Sequence, residues 1–275
     1  MKIKEINWKK ILLMSAWFVF GAGFLVLLSF VNTSQQALLC KSIEININDK
    51  VQHDFIEESD LMERINGNDK ILGHPLGTIN ISLLEKKILS NPYVATAEVY
   101  STIDGKLQIN VVQRDPIVRI ITMRDEQFYI DRNGKFMPVC DHYSLPVIVA
   151  SGYIFDTYAE MQIPAWQGNS LQTDTTLPQQ ESIMNQIFSL SQYIDQDTFL
   201  NAQIEQIYVN AQQEIELIPR VGNHKIILGS TVDLEEKFHK LYIFYTRGLN
   251  KTGWNNYSTI NLKYKNQVVC TKKNS

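Results

Sequence analysis

Polar and apolar residues alternate with period two in Ser42 to Asn48, SIEININ, where Ile43, Ile45 and Ile47 interleave with Glu44, Asn46 and Asn48. That spacing predicts a strand with one buried face. The same period returns in Leu107 to Gln113, where Leu107, Ile109 and Val111 alternate with Gln108 and Asn110. Val94 to Tyr100 precedes it as a second β-branched and apolar run, and Asp104-Gly105 supplies the turn of a hairpin. Between the first strand and this hairpin the spacing becomes helical. Leu61, Met62 and Ile65 mark a helix over Glu57 to Ile65, ended by Gly67. Leu83, Leu84, Ile88 and Leu89 mark another, started by Asn80 or by Ser82 with Glu85 as a capping box, and closed by Asn91-Pro92. The order is β-α-α-β-β over residues 42–114. Arg114-Asp115-Pro116 then breaks the pattern, because Pro116 has no N–H for a ladder and biases Asp115 towards an extended backbone. A domain boundary is expected there.

Beyond it the patterns are mostly short and β-like. Gln127 to Ile130 and Lys135 to Val139 read as a hairpin around Asp131-Arg132-Asn133-Gly134. Ser151 to Leu177, with Pro164 and Gly168, reads as an irregular surface excursion. Pro178 suits a helix first turn, and Ile183, Ile187, Leu190 and Ile194 follow at helical spacing. Ile204 to Asn210 and Glu214 to Ile218 are the next strands, after which Pro219 to Gly222 turns into Ile226 to Gly229. Leu234, Phe238, Leu241 and Tyr245 give Leu234 to Leu249 an apolar stripe. Tyr257 to Lys265 and Gln267 to Thr271 close the chain as two strands. The expected class is α+β: a transmembrane helix, a small β-α-α-β-β domain, then a mixed β-rich domain with flanking helices over 115–271 and a polar tail at 272–275.

The transmembrane helix rests on Ile11 to Val31, 21 residues without a charge. As a helix they reach about 30 Å, enough to cross a bilayer core. A cleaved signal peptide would have a shorter apolar core and a small-residue cleavage site. Lys2, Lys4, Lys9 and Lys10 precede the stretch, so residues 1–10 are expected in the cytoplasm, with 32–41 a tether and the bulk outside.

Charge changes the picture only locally. Phe136 to Pro219 holds no Lys or Arg, whereas the last 56 residues hold ten against Asp233, Glu235 and Glu236. No uniform basic face for nucleic acid is implied. Cys40, Cys140 and Cys270 have no C-x-x-C spacing. A Cys140–Cys270 bridge in an oxidising compartment and three small core thiols are the two readings. His53, His74, His142, His224 and His239 are scattered, and no nucleophile elbow or phosphate loop occurs. No catalytic, cofactor-binding or metal-binding residues, and no small-molecule substrate, are expected.

The run LLEKKILSNPYVATAEVYSTIDGKLQINVVQRDPIVRI, followed by FYIDRNGKFMPV and LPVIVASG behind an apolar N-terminal stretch, resembles the FtsQ/DivIB family of bacterial cell-division proteins. The resemblance implies a POTRA domain at 42–114, a β domain at 115–271, and a non-catalytic divisome scaffold in the inner membrane at the septum. It also implies FtsB and FtsL as partners at the C-terminal strand edge, and FtsK or the septal synthase complex at the POTRA-like domain. The family's basic-aromatic pair falls on Lys263 and Tyr264, and the same edge carries Lys265, Gln267 and Val269. A tryptophan of some relatives is missing from VVCTKK. Alternation in TINLKYK sends the Tyr264 ring inward, whereas a contact role needs it outside. Lys263, Lys265, Lys272 and Lys273 also read as gatekeepers against strand addition. Two rival functions remain: a POTRA-containing chaperone-like module for exported chains, and a membrane-tethered cell-wall enzyme.

Overall fold

A computed structural model of the chain describes residues 17–25, 38–48, 55–66, 71–140, 144–161 and 182–273. Residues 17–25 form a helix, α1, with every side chain exposed. The rest of the apolar stretch 11–31 lies outside the described residues, as do Gly67, Pro178 and most of the irregular stretch before it. Among the described residues no helix is long and apolar enough to cross a membrane. The chain divides into two compact units between Gln113 and Arg114.

In the first unit, β1 (Ser42–Asn48) leads to α2 (Glu58–Asn66) and α3 (Ile81–Leu89), then to the hairpin β2 (Val94–Ser101) and β3 (Lys106–Gln113). The sheet order is β1-β3-β2, with β1 parallel to β3 and β2 antiparallel to it. Registering Ile43, Ile45 and Ile47 beside Leu107, Ile109 and Val111 brings the two apolar rows together. Leu107, Ile109 and Val111 are buried with Leu61 and Ile65 of α2 and Leu84 and Ile88 of α3. Asn80 is the cap of α3, its Oδ1 accepting from the Leu83 N–H at 3.0 Å. The Ser82 capping box does not form, because Glu85 instead accepts from the Val99 N–H of β2 at 3.2 Å. On the opposite, wet face the polar row is joined sideways. Lys106 Nζ reaches Glu44 at 2.6 Å, Gln108 donates to the same carboxylate, and the Tyr100 hydroxyl donates to Gln108.

The second unit is built on nine strands. These are β4 (Pro116–Ile121), β5 (Gln127–Asp131), β6 (Phe136–Pro138), β7 (Ile148–Gly152), β8 (Ile204–Val209), β9 (Ile215–Pro219), β10 (Lys225–Gly229), β11 (Tyr257–Asn261) and β12 (Val269–Lys272). Their order is β12-β11-β10-β9-β8-β7-β4-β5-β6. Alternation assigns no strand to β4 or β7, which nevertheless lie side by side in parallel and lead into β8. Their near-continuous apolar runs suit strands covered on both faces, where period two disappears. After the short α4 (Tyr158–Met161), α5 (Ile183–Gln196) is capped by Ser182 and buries Met184, Ile187, Leu190 and Ile194. A short α6 (Thr198–Gln203), started by Asp197, follows it.

The last long helix is not uniform. α7 (Leu234–Ile243) widens into π-helical turns over Phe244–Leu249 and ends at α8 (Asn250–Thr252). Leu241, Tyr245 and Leu249 are all buried, and a wider turn holds residues four apart on one side better than α-helical pitch does. The Tyr193 and Phe238 rings stack at 5.2 Å, linking α5 to α7 within one core with β4, β5, β8 and β9. Buried beneath the π turns, His224 Nε2 lies 2.8 Å from the Tyr245 hydroxyl. Burial holds that imidazole below its ordinary value.

One of the two cysteine readings falls, and one expected strand is shortened. All three cysteines are free thiols: Cys140 follows β6 and Cys270 lies on β12, so the width of the sheet, at about 4.8 Å per strand, separates them. The expected strand Tyr257 to Lys265 stops at Asn261, so Lys263, Tyr264 and Lys265 lie in the connection to β12.

Candidate partner-binding edge

β12 is four residues long, pairs with β11 on one side, and ends the strand order of its sheet. Its outer row of backbone groups is therefore the side on which another strand can add. How the chain arrives there decides what surrounds that row. β11 pairs in parallel with β10 through Ile260 and Asn261, and the Leu262 N–H still donates to the Ile227 carbonyl at 2.9 Å. The ladder then stops, because the Lys263 N–H turns back to Asn261 Oδ1 at 3.0 Å. Asn266, at φ +59°, completes the reversal into β12.

The break frees Tyr264 from the alternation. Ile260 and Leu262 are buried as the period predicts, but the Tyr264 side chain is 50% exposed. Its carbonyl accepts from Lys240 Nζ at 2.7 Å, and Lys240 also pairs with Glu236 at 3.3 Å. The Glu236 carboxyl is held below its ordinary value, first by Lys240 and then by the Asn266 backbone. In this way α7 fixes the connection from its side.

Lys263 is engaged within the chain. Its Nζ lies 2.5 Å from Glu214, in the β8–β9 turn, and its aliphatic stem crosses Gly229. Gly229 has φ +79°, and a Cβ there would stand 3.0 Å from Lys263 Cγ. A glycine is what lets the stem lie flat. Below it, a cleft of about 580 Å³ is lined by Lys237, Gln213, Ser230 and Lys263. Lys237 Nζ donates to the Ser230 carbonyl at 2.8 Å, and burial pushes that ammonium below its ordinary value.

Tyr264, Lys265, Gln267 and Val269 all face solvent. Gln267 and Val268 form one wall of a groove of about 360 Å³ whose other wall is Lys240, Ile243, Phe244 and Arg247. Sequence reasoning missed the helical wall, because the Phe238 and Leu241 stripe marks the buried side of α7 and the π turns cannot be foreseen from spacing. The adjacent apolar pair Tyr242-Ile243, off that stripe and exposed, was the available signal. The edge is thus a short open strand with an exposed tyrosine at one end and a basic-rimmed apolar groove beside it. Backbone groups, apolar surface and cations are suited to holding an extended, acidic peptide segment. No group of three or more His, Cys, Asp or Glu side chains able to hold a metal occurs among the described residues.

Comparison with known proteins agrees with this arrangement in both units. Residues 38–112 match a POTRA-like domain. A curated relative, the cell division protein DivIB of Clostridium tetani (strain Massachusetts / E88), is 23% identical over 204 residues, covering 74% of this chain and 68% of the relative. Residues 115–271, the whole run from β4 to the outer edge strand, match the C-terminal related model of FtsQ/DivIB, and with more than half its length accounted for in this way the chain belongs to the FtsQ/DivIB family.

Proposed function

We propose that this chain is a membrane-anchored, non-catalytic scaffold of the division septum, whose β12 edge receives an extended segment of an FtsB-like protein acting with an FtsL-like one. The observation that carries the reading is the open outer row of β12 beside the basic-rimmed groove. A partner strand gains main-chain hydrogen bonds from the edge, and pockets along it select alternate side chains. Val269, Gln267 and Tyr264 are the contact residues, with Lys265 supplying charge. Lys263 contributes only by exchanging Glu214 for a partner carboxylate. Family membership supports a role in cell division and interaction with other division proteins.

The anchor is the stretch 11–31, of which residues 17–25 are helical with Trp17, Phe18, Phe20 and Phe24 exposed. A helix apolar on all sides and exposed on all sides suits lipid. The basic N terminus then stays in the cytoplasm. Anchoring confines scaffold and partners to one thin layer, so weak contacts gain from high effective concentration. The POTRA-like unit offers β1 and α3 to further division proteins, FtsK or the septal synthase complex.

The test is capture of the organism's own FtsB-like protein by the full chain in detergent. Val269→Glu should weaken capture at least tenfold while the thermal unfolding midpoint stays put, and Lys263→Glu should weaken it too, with a midpoint lowered by the loss of the Glu214 pair. Undiminished capture by Val269→Glu, or normal septation after depletion of the protein, rejects the assignment.

A further inference from the structure

The first unit carries exposed apolar side chains at the end where the chain enters it. Leu38 to Lys41 is held there between two turns. The Leu76 N–H donates to the Leu38 carbonyl, and the Gly73 N–H to the Cys40 carbonyl, both at 2.8 Å. On its other side the Lys41 N–H donates to the Gly105 carbonyl at 2.8 Å. These bonds bring three large apolar side chains to one lip: Leu39 is 52% exposed, Leu72 48%, and Ile103, at the tip of the β2–β3 turn, 80%. Asp104 beside Ile103 is turned back onto the Thr102 hydroxyl, and Lys41 and Lys106 hold its carboxyl below the ordinary range, after that hydrogen bond. Lys41 and His74 are exposed on the same rim.

We infer that this lip, Leu39, Leu72 and Ile103 with Lys41, rests on the surface of an anionic lipid bilayer and so sets how the first unit stands on the membrane. The inference rests on the anchor proposed above. Chain length makes the bilayer the occupant: only residues 32–37 separate the uncharged stretch 11–31 from Leu38, and fully extended they reach about 20 Å. The lip is therefore the part of the unit tethered nearest to lipid. Apolar side chains of this size sink into the interfacial layer, while lysines beside them meet anionic headgroups. The polar face of the sheet, whose side chains already bond one another across the strands, has no comparable call on lipid.

The experiment uses the full chain, with Cys140→Ala and Cys270→Ala, reconstituted into vesicles of phosphatidylethanolamine and phosphatidylglycerol. An environment-sensitive fluorophore is attached through Ile103→Cys and, separately, through Leu72→Cys. Val112→Cys serves as reference, at the far end of β3, about 20 Å along the strand from the turn. Lipids carrying a spin label high on the acyl chain should quench both lip probes at least threefold more than the reference, with blue-shifted emission. Water-like emission from both lip probes in chains that float with the vesicles overturns the inference and leaves the anchor intact. Quenching equal at Val112 also overturns it. Chains that do not float at all remove the anchor and the inference together.

Discussion

The turns Thr102–Lys106 and Asp131–Lys135, one in each unit, are built alike and used differently. In both, the first residue's N–H donates to the fifth residue's carbonyl at 2.9 Å, and the fourth residue's N–H donates back to the first. The first side chain accepts from the fifth N–H, at 3.2 Å on Thr102 and 2.8 Å on Asp131. Gly105 and Gly134 hold the fourth position at positive φ. This is a three-residue hairpin loop with a glycine bulge. Thr102 spends its hydroxyl within the turn, on Asp104 and Lys106, and its neighbour Ile103 is exposed. Asp131, 1% exposed, also takes Arg114 Nη1 at 2.8 Å, while Arg132 at its tip is tied to Asp115 and Asp195. Local chemistry writes the turn; the surroundings decide whether it is a surface tip or a buried node.

The largest expected effect separates the two. Asp131→Ala removes the ion pair with Arg114 and the acceptor of two turn N–H groups, which should cost about 3–5 kcal/mol in chemical denaturation of the second unit. A loss as small as that of Thr102→Ala would mean that the two turns bear equal weight. Gly105→Ala should cost about 1–2 kcal/mol, because a left-handed residue gains a Cβ that meets the Leu39 carbonyl oxygen at 3.0 Å.

Acid should separate the units next. His224 is neutral and buried in the second unit, whereas His74 of the first is exposed. With its folded pKa below the ordinary 6.5, the unfolded chain binds the extra proton first. Stability from this group is complete above about pH 6.5 and falls as the pH drops below it. Calorimetry at pH 7.5 and 5.5 should show the second unit's transition moving down, and His224→Gln should flatten that dependence. Thr102→Ala should cost about 1 kcal/mol, the turn losing a half-buried hydroxyl whose hydrogen bonds to Asp104 and Lys106 all stay within it.

The same turn recurs twice where no glycine announces it. Thr122–Glu126 and Asn210–Glu214 repeat the hydrogen bonds, with Asp125 at φ +61° and Gln213 at +60° in the bulge position. Asp125→Gly should therefore stabilise the second unit by about 0.5 kcal/mol, the smallest change in the series, read as a shifted denaturation midpoint. Asp104-Gly105 and Asn133-Gly134 were legible because glycine advertises left-handed backbone. Thr122 and Asn210 show only a common side-chain acceptor. Likewise β4 and β7 escaped because strands inside a layered sheet lose their period, whereas β1 and β3, wet on one face, displayed it in full.

The candidate site divides along the same line. From the sequence alone came the β-α-α-β-β order, the break at Arg114-Asp115-Pro116, the uncharged stretch at 11–31, and a basic C-terminal strand pair. Each rests on a local rule: period, turn chemistry, length or charge. Only the tertiary structure put β12 at the end of nine strands, ended β11 at the Asn261 side chain, turned Tyr264 outward and committed Lys263 to Glu214. The placement of Tyr264 and Lys263 depends on groups 24 to 49 residues apart meeting through packing, Lys240 with Tyr264 and Glu214 with Lys263, and periodicity carries no information about such meetings.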